Sequence, residues 1–100
     1  MNRRRFEKEA KKIFDEAYAT LCDKSKLYAP DADCLKNFRH GGLYSISLRL
    51  AEKAARATQL STPGKKRNAT SHDEGLRDAF LDGLNYSVLG LLMLKEKHRK

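Results

Sequence analysis

The stretch Glu74–Leu94, EGLRDAFLDGLNYSVLGLLML, decides how this chain folds. Its first half is amphipathic, with Leu76, Phe80, Leu84, Ser87 and Leu91 recurring at helical spacing near one face. Its second half is more apolar than one face requires. From Asn85 to Leu94 there is no charge, and Val88, Leu89, Leu91, Leu92, Met93 and Leu94 point nearly all round a helix. A chain of 100 residues cannot easily cover every side of such a helix. The stretch is therefore expected in the middle of a bundle or shared with a second subunit. Asp78, Asp82, Asn85 and Tyr86 place polar groups on the same segment.

Upstream of it, Ser71 followed by Glu74 forms a capping box and predicts the start of this helix. Asp73 and Glu74 suit its N-terminal dipole, and Lys95, Lys97, His98, Arg99 and Lys100 suit its end. Residues 61–72, STPGKKRNATSH, read as a loop with a Pro63–Gly64 turn and a basic run, Lys65–Arg67. A second helix is predicted from about Leu43 to Leu60, with Leu43, Ile46, Ser47, Leu50, Ala54 and Ala57 as its inner stripe. Before it, Cys34, Leu35 and Phe38 mark a short helical turn with Asp31 or Asp33 as cap. His40-Gly41-Gly42 ends that turn and lets the chain reverse. Residues 3–22 read as the first helix, since Phe6, Ala10, Ile13, Phe14, Ala17, Tyr18 and Leu21 keep a helical period. Residues 23–33 read as a connection, Pro30 disfavouring helix at Ala29. No strand alternation and no repeat occurs. The expectation is an all-α fold: one helical domain over 1–100, a small bundle of three principal helices plus a short turn, oligomeric through Gly83–Leu94.

Charge narrows the partners. Lys plus Arg number 21 against 13 Asp plus Glu, a formal net charge of +8, which favours an anionic partner. The two cysteines, Cys22 and Cys34, make neither a metal pattern nor a disulfide framework and are expected to be reduced and partly buried. Arg3-Arg4-Arg5 leads into a charged helix rather than an apolar run, so no secretory signal is read. The longest uncharged stretch falls short of the roughly 20 residues a membrane span needs. A cytoplasmic location without a membrane partner is expected.

Three ordered blocks carry a resemblance. Lys24–Arg39 reads KSKLYAPDADCLKNFR, Glu52–Leu60 reads EKAARATQL, and Asp73–Tyr86 reads DEGLRDAFLDGLNY. This order resembles small phage and prophage proteins of the nucleotide modification associated domain family, which are typically all-helical. The resemblance covers most of the chain from Lys24 onward and implies a nucleotide context and the cytoplasm of a phage host. A more distant similarity is to all-α nucleotide pyrophosphatases of the MazG kind. Those hold Mg²⁺ with several carboxylates, and magnesium demands oxygen ligands in near-octahedral order. Here Glu74, Asp78 and Asp82 are four apart on one helix, but the preceding helix offers Glu52 alone, flanked by Lys53 and Arg56.

The same residues support two roles. Lys53 and Arg56 can make a structural ion-pair lattice with Asp78 and Asp82, or they can hold phosphate oxygens, Arg as a fork and Lys as a point charge. In the second role Asp82 and Asn85 orient the cations or meet a base or ribose. Tyr28, Phe38 and Tyr86 are candidates for stacking, and Asn37 and Arg39 complete the candidate set. No nucleophile with a base, no phosphate loop after a strand and no His/Cys cluster is visible, so binding is favoured over catalysis. The leading expectation is a nucleotide-binding protein, without catalysis or cofactor, that sequesters a small anionic nucleotide. A cyclic second messenger of host antiphage signalling is one such ligand, which would make the protein an anti-defence sponge. The alternatives are a Mg²⁺-dependent pyrophosphatase using Glu74, Asp78 and Asp82, and a nucleic-acid- or protein-binding module using the basic ends Arg3–Arg5 and Lys95–Lys100.

Overall fold

A helix that meets neither proline nor glycine continues, and α1 obeys that rule. It spans Arg3–Tyr28. Asn2 caps it, its Oδ1 accepting the Arg5 N–H at 2.9 Å. The helix expected to stop at residue 22 runs on through Asp23–Tyr28, because no proline or glycine there breaks it. Lys11 and Asp15 pair across one turn at 2.9 Å, an exposed contact of about 0.3–0.5 kcal/mol. The apolar period is helical as predicted, yet Phe6, Ile13, Phe14 and Tyr18 are all exposed.

The computed structural model describes residues 1–28, 33–63 and 69–98, the side chains of the last segment from His72 onward. The basic run at Lys65–Arg67, the Asp31 cap and Arg99–Lys100 lie outside the described residues. The chain divides into two compact units, Met1–Asn37 and Phe38–Lys100, where its length suggests one domain. The class is all-α, with three long helices, one short one and no strand among the described residues. No helix there is long and apolar enough to cross a membrane.

In the first unit, Asp33 acts as the predicted cap: its Oδ1 accepts the Leu35 N–H at 3.1 Å and its carbonyl accepts from Lys36 at 3.0 Å. Leu35 is buried, while Cys34 beside it is exposed, contrary to the expected burial. A turn exposes alternate side chains, and here the leucine takes the inner place. Both cysteines are free.

In the second unit, α2 (Lys36–Arg39 at its boundary) leads to Gly41–Gly42 and then α3, Gly42–Ser61. Gly42 has φ of 61°, the left-handed region where a Cβ is strained. A Cβ on Gly41 would lie 2.4 Å from the Ser45 Cβ. The glycine pair is thus a chain reversal, as read from the sequence. Gly42→Ala is expected to lower stability by about 1 kcal/mol, measured by urea unfolding, with the helical circular dichroism signal retained.

The chain then returns as α4, Ala69–Lys97, packed along α3. It begins before the predicted capping box, so Ser71 lies inside the helix rather than at its N-cap. Ala69 and Thr70 are tolerated in a first turn, and once started the helix extends backward over them. The face that α4 turns to α3 is not the one its large residues predict. Gly83 would put a Cβ 3.7 Å from Leu50 Cδ1, Gly90 one 3.7 Å from Ile46 Cγ2, and Gly75 one 3.1 Å from Leu60 Cδ1. Between them Ala79 is buried. Small residues bring the two backbones close, and Ile46 and Ala57 of α3 fill the seam. On α3 the buried residues are Ile46 and Ala57, with Lys53 half-buried between them, while Ser47, Leu50 and Ala54 of the predicted stripe are exposed, Leu50 still reaching the seam at Gly83. Phe80, expected on the inner face, is 66% exposed, and Leu91, within the expected seam Gly83–Leu94, is 67% exposed.

Candidate functional site

The α3–α4 seam that glycine opens is also where the candidate charges meet. Lys53 stands among the inner residues of α3, its Cβ 4.0 Å from where a Cβ on Gly83 would be. The lysine runs past Gly83, and its Nζ lies 3.3 Å from Asp82 Oδ2. Both side chains are 29% exposed, so the pair is shielded from bulk water without being sealed from it.

Arg56 lies one turn along α3 and is exposed. Its Nη2 is 3.4 Å from the position a Cβ on Gly75 would take, so the guanidinium rests on the bare backbone of α4. Cations of α3 thus cross two glycine gaps in α4, Lys53 at Gly83 and Arg56 at Gly75. Asn85 and Tyr86 follow Asp82 on α4 and are half-buried. Asp78, the other predicted partner of these cations, is exposed, and the pair formed is Lys53–Asp82. A lysine ammonium has three protons; one directed at Asp82 leaves others for a phosphate oxygen, and the Arg56 fork adds donors nearby.

The remaining candidates fall elsewhere. In the first unit the Asn37 side-chain amide donates to the Tyr28 carbonyl at 3.4 Å, and the Tyr28 ring is exposed. In the second unit Phe38 is half-buried and Arg39 exposed. Lys53, Arg56, Asp82, Asn85 and Tyr86 are therefore one group on the hairpin, and Tyr28 and Asn37 another. Glu74 and Asp78 are exposed, and no group of three or more His, Cys, Asp or Glu residues able to hold a metal occurs among the described residues.

Known protein families, curated proteins and solved structures contain no match to this chain. Its chemistry is read from its own residues. Sequence reasoning missed Gly75 and Gly83, the α4 positions beside which Arg56 and Lys53 lie. A signal existed in the four-residue spacing Gly75, Ala79, Gly83, which puts small residues on one side of a helix. On α1, a hydrogen bond with the Cys22 side chain one turn away holds the Tyr18 phenol above its usual pKa, with the thiolate charge and desolvation acting in the same direction.

Proposed function

We propose that this is a nucleotide-binding protein that sequesters a small anionic nucleotide without transforming it. The observation that carries this reading is the half-shielded Lys53–Asp82 pair with Arg56 one turn away, both cations laid over glycines of α4. Arg56 supplies a planar fork and Lys53 a point charge that Asp82 keeps in place, a combination suited to phosphate oxygens. Asn85 and Tyr86 extend the same segment with an amide and an aromatic ring that suit a base or ribose. The net charge of +8 attracts such a ligand.

The resemblance of the blocks 24–39, 52–60 and 73–86 to phage nucleotide modification associated proteins agrees with this ligand class. It extends the proposal to a phage protein in the host cytoplasm that withholds a cyclic nucleotide messenger from a defence system. Self-association would multiply the sites on each particle.

Calorimetry with cyclic di- and trinucleotides and with linear nucleotides tests the reading. Binding is expected for at least one of them, with intact ligand recovered after denaturation. A combined Lys53→Ala, Arg56→Ala variant should bind at least about tenfold more weakly, the worth of one to two charge-assisted hydrogen bonds. No heat with any nucleotide would remove the proposal. Release of pyrophosphate or monophosphate with Mg²⁺ present would replace it with the hydrolase alternative.

A further inference from the structure

We infer that the outer face of α4 is a self-association surface, on which a second copy of this chain lays its own α4 antiparallel. With glycines and Ala79 turned to α3, the large apolar side chains of α4 are left outside the hairpin. Phe80, Leu84, Ser87, Leu91 and Leu94 follow alternating steps of three and four residues, the spacing of a coiled-coil seam. Phe80, Leu91 and Leu94 are exposed and Leu84 is half-buried. The stripe's one polar group is already satisfied, since Ser87 Oγ donates to the Gly83 carbonyl at 3.0 Å. Covering Ser87 therefore strands no hydroxyl. Continued in the same rhythm the stripe meets Arg77 at one end and His98 at the other, about 32 Å apart at 1.5 Å per residue.

Charge selects both the occupant and its direction. The start of α4 is net acidic, Asp73, Glu74 and Asp78 outnumbering Arg77, and its end is net basic, Lys95, Lys97 and His98 outnumbering Glu96. Two copies running antiparallel set each acidic start against the partner's basic end. Parallel copies would set like against like over both ends. The antiparallel overlay that puts Phe80 opposite the partner's Leu91 also puts Leu84 opposite the partner's Ser87, large against small. It brings Asp73 opposite the partner's His98. Every contact occurs twice about one two-fold axis, as a closed dimer requires. The face is self-complementary.

This pairing gives the oligomer of the proposed function a specific seam, and it needs no nucleotide to form. Sedimentation velocity of the ligand-free chain from about 1 to about 100 μM, the range over which apolar seams of modest size assemble, is expected to show a monomer–dimer equilibrium. Leu91→Glu should weaken it by at least about thirtyfold while helical content is unchanged. For direction, copies carrying Asp73→Cys are mixed with copies carrying His98→Cys, both on a Cys22→Ser, Cys34→Ser background. Oxidation should link the mixed pair and leave each variant alone unlinked. A chain monomeric at every concentration overturns the inference. A dimer insensitive to Leu91→Glu overturns it too, and so does linkage of Asp73→Cys to itself. Nucleotide binding can fail while all of these hold, and the reverse, so the two proposals fall separately.

Discussion

Replacing Ile46 by alanine is expected to destabilise the α3–α4 hairpin by about 3 kcal/mol, within the range of roughly 2–5 kcal/mol measured for buried Ile and Leu truncations. Ile46 is 2% exposed, and the other buried residues of its unit among those described, Ala57 and Ala79, are small. At Gly90 the surface it meets carries no side chain that could fill the gap. A domain this small has about 5–15 kcal/mol of stability in all, so the change should lower the urea midpoint substantially. Leu48→Ala is the control. Leu48 is on the same helix but 47% exposed, and its truncation should cost under about 1 kcal/mol. Equal effects of the two substitutions would mean that the hairpin does not close on Ile46.

The second large effect concerns the ion pair. Asp82→Ala removes the partner of Lys53 and leaves an ammonium in a half-shielded seam. Exposed pairs are worth about 0.2–1 kcal/mol and breaking a fully buried pair costs about 3–5 kcal/mol. At 29% exposure on both sides the expected loss lies between these limits, about 1–2 kcal/mol after solvent screening. The pairwise part is isolated by a double-mutant cycle with Lys53→Met. The double variant should be more stable than the sum of the single losses predicts, since the interaction between the two groups is lost only once. Additive losses would mean that Lys53 and Asp82 do not interact in solution.

How far these results were foreseeable differs from element to element. The short helical turn, its Asp33 cap, the Gly41–Gly42 reversal and the second long helix are set by local chemistry, and local chemistry is written along the chain. Helix ends are less legible. The end of α1 moved from residue 22 to Tyr28 because Asp23–Lys26 are only weakly unfavourable in a helix, and weak preferences yield to continuation. The start of α4 moved from the capping box to Ala69 for the same reason. Of the candidate site, the residue types and the pairing of α3 cations with α4 carboxylates were legible. Which carboxylate pairs was not, because Asp78 and Asp82 lie one turn apart on the same helix and only the rotation of α4 against α3 separates them.

That rotation also changes the meaning of the stretch Glu74–Leu94. By itself the sequence determined that this stretch is helical, that it carries more apolar surface than one hairpin can cover, and that its acidic residues lie in its first half with basic residues just beyond its end. Periodicity reports which residues share a face, and it held. It does not report which face is turned inward. Only the tertiary structure decided that the glycine side, not the leucine side, packs on α3, since contact favours the side where backbones can approach closely. From that one choice follow the passage of Lys53 to Asp82 across Gly83 and the exposure of Phe80 and Leu91.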